Sequence, residues 1–480
     1  MKDETVPDFP KTPTGIAGLD EVTSGGIPKG RPTLICGSAG CGKTLVGVHF
    51  LVKGITEYDE PGVFMSFEET LDDLAQNVRS LGFDLKELID RKKLRVDNIR
   101  IEKSEIQETG EYDLEALFIR LNYAIDAIGA KRVVLDTIEA LFGGVDNATL
   151  LRSEIKRLFQ WLKDKGVTTI ITGERGESSL TRQGLEEYVS DCVILLDLRV
   201  IDQIATRRLR IVKYRGSTHG TNEYPFLIDE TGISVLPITS IKLEHKISVD
   251  IMSFGHKGID RLFSLGGYYR GSSTLITGSA GTSKTILASY FAMGSCLRKE
   301  SVLFFSFEES PNQLVRNLVS VGIHFKPFID SGLLNIHSSR PSLQGLEMHL
   351  LILHKLIDIH KPKTVIIDPI SSLITIGNAS EVRAMLIRLM DLLKVSQINA
   401  LFTALTNSQT NWHDDLTVDA VSSLADTWIK MSNQETKGAR TRYLDIVKSR
   451  GMGHSNLVWN FFINEKGIHL NRKTKKQIKR

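Results

Sequence analysis

Two eight-residue segments, GSAGCGKT at 37–44 and GSAGTSKT at 278–285, are the parts of this 480-residue chain whose residue types and spacing most directly specify chemistry. In the first, Gly37, Ser38, Ala39, Gly40, Cys41 and Gly42 form a turn that can aim successive backbone N–H groups at phosphates. Lys43 would neutralise their charge, the Thr44 hydroxyl could ligate Mg²⁺, and the following helix would add the positive end of its dipole. Gly278, Ser279, Ala280, Gly281, Thr282, Ser283, Lys284 and Thr285 repeat the design, with Ser283 where the last glycine of the pattern belongs. Two such loops half a chain apart imply two nucleotide sites.

Hydrolysis of a nucleotide needs two further groups: a metal-holding carboxylate, and a side chain that orients or deprotonates the attacking oxygen. Both recur at matching places. Asp136 and Asp368 close the apolar runs RVVLD and TVIID and suit the Mg²⁺ side. Glu68 with Glu69, and Glu308 with Glu309, follow β-rich runs, where adjacent carboxylates could activate a nucleophile. The plainer reading of such a pair is charge complementing a helix N-terminus. Late in each copy come Lys213 and Arg215 in KYRG, and Lys448 and Arg450 in KSRG. In ring ATPases cations so placed reach a neighbour's γ-phosphate, which implies an oligomer; solvated residues on an edge strand are the alternative.

The elements that must position these residues also repeat. Short apolar strands, TLIC and TLIT, precede the loops, and each loop opens a run with helical spacing. GVFMSFEETLDDLAQNVRSLGF (62–83) corresponds to SVLFFSFEESPNQLVRNLVSVGI (301–323): a strand, two glutamates, then an amphipathic helix stopped by glycine. Helical stretches at 115–128 and 346–359 then feed the aspartate strands. Further strands are VTTIIT and INALFT, DCVILL and DTWIKM, and RLRIVKYRG and YLDIVKSRG. Helices alternating with buried strands predict an α/β fold with mainly parallel sheets, in two domains, 1–245 and 246–480.

Composition excludes little but bounds the setting. A hydrophobic fraction of 41%, a charged fraction of 24% and a net charge of +3 are ordinary for a globular protein and give no field that would select nucleic acid or membrane. The opening MKDETVPDFPKT lacks the apolar core of a signal peptide, and no apolar stretch is long enough to span a bilayer, so a cytoplasmic location is expected. The four cysteines have no paired spacing that suggests zinc or disulfides. Cys41, inside the first loop, suggests sensitivity to oxidants. The basic end NRKTKKQIKR reads as a solvated tail.

Together the loops, the FEE pairs, the aspartate strands, the K-x-R-G ends and the duplication resemble the circadian clock family KaiC, within the RecA-like P-loop ATPases, over nearly the whole chain. The resemblance implies a two-tiered homohexamer with ATP and Mg²⁺ at subunit interfaces. Its first tier would be a slow ATPase and its second a serine/threonine autokinase and autophosphatase. By motif, Glu68 and Glu69 match the first-tier catalytic glutamates and Glu308 and Glu309 their second-tier counterparts, with Glu309 as the kinase base. The resemblance places the phosphorylated pair at Ser422 and Ser423 in AVSSLADTWIKM, where the family's second acceptor is usually threonine, and would make Thr417 a secondary acceptor. The first copy has Glu187 and Tyr188 opposite the two serines and offers no comparable pair. A KaiB-like partner is expected, while the short C-terminal tail argues against KaiA. The role implied is a circadian-type timer or a stress-adaptation regulator. Alternatives are a RecA-like DNA-dependent ATPase, against which no basic, aromatic-interleaved segment stands out, and an ATP-gated scaffold without kinase activity.

Overall fold

A computed structural model describes residues 9–99, 114–141, 148–176, 189–201, 204–237, 248–377, 379–406, 422–436, 439–465 and 467–472. The chain divides into two compact units, Met1–Thr239 and Ser240–Arg480. The join expected near 245, Thr417, and the Glu187–Tyr188 pair lie outside the described residues.

In the first unit nine strands form one sheet: β1 (Pro32–Gly37), β2 (Gly62–Ser66), β3 (Leu94–Asn98), β4 (Arg132–Asp136), β5 (Thr168–Glu174), β6 (Cys192–Ile201), β7 (Ile204–Tyr214), β8 (Glu223–Asp229) and β9 (Gly232–Val235). Their spatial order is β9-β8-β7-β6-β1-β5-β4-β2-β3. The six from β6 to β3 are parallel, and β7, β8 and β9 add on antiparallel. Apolar residues on both faces explain the parallel part. Ile35, Phe64, Val134 and Ile170 point to one core, and their neighbours Leu34, Val63, Val133 and Ile171 to another. Helices α1 (Lys43–Tyr58) and α2 (Leu71–Arg79) supply side chains to the first core, and α3 (Glu115–Ile128) and α4 (Ala148–Lys165) to the second.

Thr70 caps α2 by accepting a hydrogen bond from the Asp73 N–H at 3.3 Å, and Gly82, at φ 80°, lies just beyond the helix end. Gly47 lets α1 lie close against β4, since a Cβ there would meet Val134 Cγ1 at 2.7 Å. That contact brings the loop-bearing helix beside the strand that ends in Asp136.

The second unit repeats the plan with β10 (Ser273–Gly278), β11 (Val302–Ser306), β12 (Leu334–Ser338), β13 (Thr364–Asp368), β14 (Asn399–Leu405), β15 (Thr427–Thr436), β16 (Ala439–Ser449), β17 (Trp459–Asn464) and β18 (Gly467–Arg472). Its order, β12-β11-β13-β14-β10-β15-β16-β17-β18, is the first sheet read from the other edge. Helices α5 (Lys284–Leu297), α6 (Pro311–Val319), α7 (Leu346–His360) and α8 (Ala379–Val395) correspond to α1–α4 in order along the chain. Neither β7, which carries Lys213 and ends just before Arg215, nor β16, which carries Lys448 and ends just before Arg450, is an edge strand, which removes the edge-strand reading of these basic pairs. Among the described residues, no helix is long and apolar enough to cross a membrane.

Candidate nucleotide sites

Each loop leaves the C-terminal end of a central strand and runs into a helix, the place where open α/β sheets bind ligands. β1 ends at Gly37, and α1 begins at Lys43. The turn is closed by the Cys41 N–H donating to Ser38 O at 3.4 Å, and Thr282 repeats this with Ser279 at the same distance. Lys43 is buried along its stem and folds over the loop, its Nζ donating to Gly37 O at 2.9 Å and Ser38 O at 3.1 Å. Lys284 does the same to Gly278 O at 2.7 Å and Ser279 O at 3.0 Å. Burial pushes the Lys284 ammonium below its ordinary pKa, against the opposing pull of Asp368 and Glu308. Cys41 is fully buried, and burial pushes its thiol up, so the thiolate an oxidant would attack is disfavoured.

Ser283 occupies the position of Gly42. Gly42 has φ 104° and Ser283 φ 75°, so a serine holds the left-handed conformation that suits glycine. That conformation costs an L-residue about 1–2 kcal/mol, part of which is offset by glycine's greater freedom when unfolded. Ser283→Gly is therefore expected to raise the urea midpoint of the second unit by up to ~1 kcal/mol equivalent. A lower midpoint would mean that the serine side chain stabilises the loop.

The aspartates stand directly beside the loop threonines. Thr44 Oγ1 donates to Asp136 Oδ2 at 2.8 Å, and Thr172, from β5, bonds the other carboxylate oxygen. In the second unit Thr285 and Thr403 bond Asp368 in the same way. A hydroxyl and a carboxylate at this separation are hard oxygen donors. Among the described residues, no group of three or more His, Cys, Asp or Glu side chains could hold a metal. The donor set therefore fits a cation that takes one carboxylate and fills its remaining positions with phosphate and water, which is Mg²⁺ chemistry.

Burial holds both Asp136 and Asp368 above the usual carboxylate range, despite the threonine bonds and the lysines. For a carboxyl raised on folding, the stabilising contribution is full below the unfolded pKa and is lost as pH rises through the folded value. Without nucleotide, Asp136→Asn should therefore gain stability over the parent as pH rises from about 4. Thermal melts across pH check this, and a gap that narrows toward neutral pH would contradict it.

Glu68 and Glu69 follow β2, next to β4 in the sheet. Glu68 Oε1 lies 3.4 Å from the hydroxyl of Thr137, the residue after Asp136, and Glu308 Oε1 accepts from Ser372 at 3.1 Å. The second glutamates turn toward the helix that follows. Glu309 Oε1 accepts from Asn317 Nδ2 at 2.9 Å, and Asn77 holds Glu69. Burial raises the Glu69 pKa, and the neighbouring Asp136 charge adds to the effect, in the direction a general base working near neutrality requires.

Loop, aspartate and glutamates thus converge at one end of each sheet. The basic pairs do not join them. In the first unit Cys192 is level with Thr33 and Leu196 with Gly37, while Lys213 pairs with Val193 at the far end. In the second, Thr427 is level with Thr274 and Met431 with Gly278, while Lys448 pairs with Trp428. Three residues of strand, about 10 Å, separate the level of each lysine from the start of its loop. Ser422 and Ser423 precede β15 at that same far end. Lys448 Nζ donates to Ser422 O at 2.6 Å and Arg450 Nη2 to Ser423 O at 2.5 Å. Ser422 is half-buried and Ser423 exposed.

Sequence reading missed two sets of residues here. Thr172 and Thr403 looked like ordinary strand residues. Asp191 and Asp426 were visible only as points of register between DCVILL and DTWIKM, yet each takes the side-chain charge of the arginine that ends K-x-R.

Comparison with known proteins gives the same duplication. A family model described as "ATPase: KaiC" matches residues 12–240 and again 252–475. The chain is 55% identical over 460 residues to the circadian clock protein KaiC2 of Synechocystis sp. (strain ATCC 27184 / PCC 6803 / Kazusa), covering 96% of this chain and 81% of that protein. It is 37% identical to the circadian clock oscillator protein KaiC of Synechococcus elongatus, covering 95% and 88%. Against the protein of the same name from Prochlorococcus marinus it is 36% identical, covering 95% and 92%.

Proposed function

Because this chain belongs to the KaiC family of ATPases, we propose that its first unit hydrolyses ATP slowly and that its second transfers the γ-phosphoryl of ATP to Ser422 and Ser423 and later removes it. The observation that carries the kinase part is the seating of those two serines by Lys448 and Arg450. Both serines and both cations lie at the end of the sheet away from their own loop, about 10 Å or more along the strands. Transfer needs reacting atoms about 3–3.5 Å apart. The acceptors therefore work on the nucleotide of a neighbouring copy, which favours the ring, a homohexamer of two tiers.

In that assembly Mg²⁺ would rest on Thr44 and Asp136 in the first unit and on Thr285 and Asp368 in the second. Bound there, Mg²⁺ would supply positive charge to offset that of the phosphates. The loop N–H groups and Lys43 or Lys284 hold the phosphates. Glu309 accepts the serine proton, and Glu69, aided by Glu68, orients and deprotonates water. Lys213 with Arg215, and Lys448 with Arg450, stabilise charge on the phosphoryl group bound by the next copy. Each phosphoserine adds about −1.5 to −2 charge at that interface, enough to report the phosphorylation state to a KaiB-like partner in a circadian-type timer or stress-adaptation regulator acting in the cytoplasm.

Mixing two variants tests the transfer between copies. Lys284→Ala lacks a competent second loop, and the doubly substituted Ser422→Ala, Ser423→Ala chain lacks the paired acceptors. Neither alone should take up phosphate at position 422 or 423 from Mg-ATP. Mixed and allowed to exchange, they should label the Lys284→Ala chain. Labelling of the Lys284→Ala chain by itself, or none in the mixture beside a labelled parent, would contradict the reading.

A further inference from the structure

We propose that Asp191 and Asp426 are positioning residues that set the reach of Arg215 and Arg450 toward the polyphosphate bound by a neighbouring copy. The inference rests on the reading of those arginines given above and assigns the groups that aim them.

Asp191 directly precedes β6, and its side chain is 3% exposed. Lys163, from α4, places Nζ 2.7 Å from Oδ2; Arg31, which leads into β1, lies at 3.8 Å; and Arg215 Nη1 lies 3.6 Å from Oδ1. The Asp191 carbonyl also accepts the Arg215 backbone N–H at 2.8 Å. Asp426 repeats the arrangement before β15. Lys394, from α8, lies at 3.4 Å and Arg450 Nη1 at 4.0 Å, and Asp426 O accepts the Arg450 N–H at 2.8 Å. Asp426 is itself fixed to the start of β10 by Ser273, whose N–H and hydroxyl donate to Oδ2 at 2.9 and 2.8 Å.

A carboxylate taken out of water must be neutralised, and in both units the helix lysine lies nearer to it than the arginine does. The arginines stand at 3.6 and 4.0 Å, too far for a hydrogen bond, and each is 54% exposed. Their backbone is pinned by the aspartate carbonyl, and the carboxylate stands beside the guanidinium without bonding it, while Arg450 Nη2 is held by Ser423 O at 2.5 Å. Around Asp191, three cations (Arg31, Lys163, Arg215) approach one carboxylate, so its charge is neutralised without Arg215 having to bond it. Beside Asp426 lies a cavity of about 400 Å³, bordered by Arg270, Lys394 and Arg450. The same arrangement in both units argues against chance ion pairing.

The test measures kcat and KM for ATP hydrolysis in the full chain carrying Lys284→Ala, so that the first unit alone is read, with Arg215→Ala, Asp191→Asn and both together. Arg215→Ala should lower kcat by about 10³-fold or more. Asp191→Asn should lower kcat about 10- to 100-fold at unchanged KM, and the double variant should be no slower than Arg215→Ala, because the aspartate acts through the arginine. If Arg215→Ala is slow while Asp191→Asn matches the parent, or if the double variant's losses multiply, the positioning role is overturned and the arginine's role stands. A fast Arg215→Ala overturns both. Should Asp191→Asn fail to fold, Asp426→Asn with Arg450→Ala, read as ATP consumption in a Lys43→Ala chain, carries the same comparison with the same outcomes.

Discussion

Replacing Glu309 with glutamine is expected to lower phosphate incorporation at Ser422 and Ser423 by about 10²- to 10⁴-fold, the usual worth of a general base, while first-unit hydrolysis continues. Glutamine keeps the size of the side chain and can still accept the Asn317 amide that holds Glu309 at 2.9 Å. The backbone around it is also secured, with Ser306 Oγ accepting from the Glu309 N–H at 3.1 Å and Ser338 Oγ donating to its carbonyl at 2.8 Å. The loss would therefore report basicity and not collapse of the site. Glu308→Gln should cost less, because Glu308 faces the segment after Asp368 through Ser372. Phosphate uptake by the two variants, measured beside the parent, ranks them, and the reverse order would reassign the base.

Lys43→Ala is expected to lower first-unit ATP hydrolysis by about 10²- to 10³-fold, the scale on which a fixed donor to developing negative charge acts. Lys43 is held at the mouth of the loop by the carbonyls of Gly37 and Ser38, so its ammonium is already placed where phosphate arrives. Hydrolysis measured with the second loop also disabled by Lys284→Ala isolates this effect. Retained turnover would show that the backbone N–H groups suffice without the lysine.

The parts legible in the sequence are those whose physics is local. A glycine-rich turn between an apolar strand and a helix reads as a phosphate loop because the turn needs residues that tolerate positive φ, as Gly40, Gly42 and Gly281 do. β4 and β13 read as buried strands because RVVLD and TVIID are apolar on both faces. Less was visible where pairing or charge is non-local. The parallel edge strand β3, LRVDN, is largely half-buried and charged, so no alternation marks it. The antiparallel additions β8, β9, β17 and β18 went unread. Pro225 interrupts the pattern of β8, and WNFFIN in β17 alternates poorly. The role of Asp191 needs Lys163, Arg31 and Arg215, which approach from a helix, the lead-in to β1 and the residue after β7. No window of sequence contains all of them. The duplication offered the one available signal, an aspartate at the same place in both copies.

The central claim is that the second unit is a kinase acting on its own serines. Phosphopeptide mapping of the purified protein after incubation with Mg-ATP tests it most directly, with Glu309→Gln as the paired control. The account predicts phosphate on Ser422 or Ser423 in the parent and none in the variant. ATP hydrolysis without any phosphopeptide in the 422–423 segment would contradict it and leave an ATPase whose second unit binds nucleotide as a scaffold.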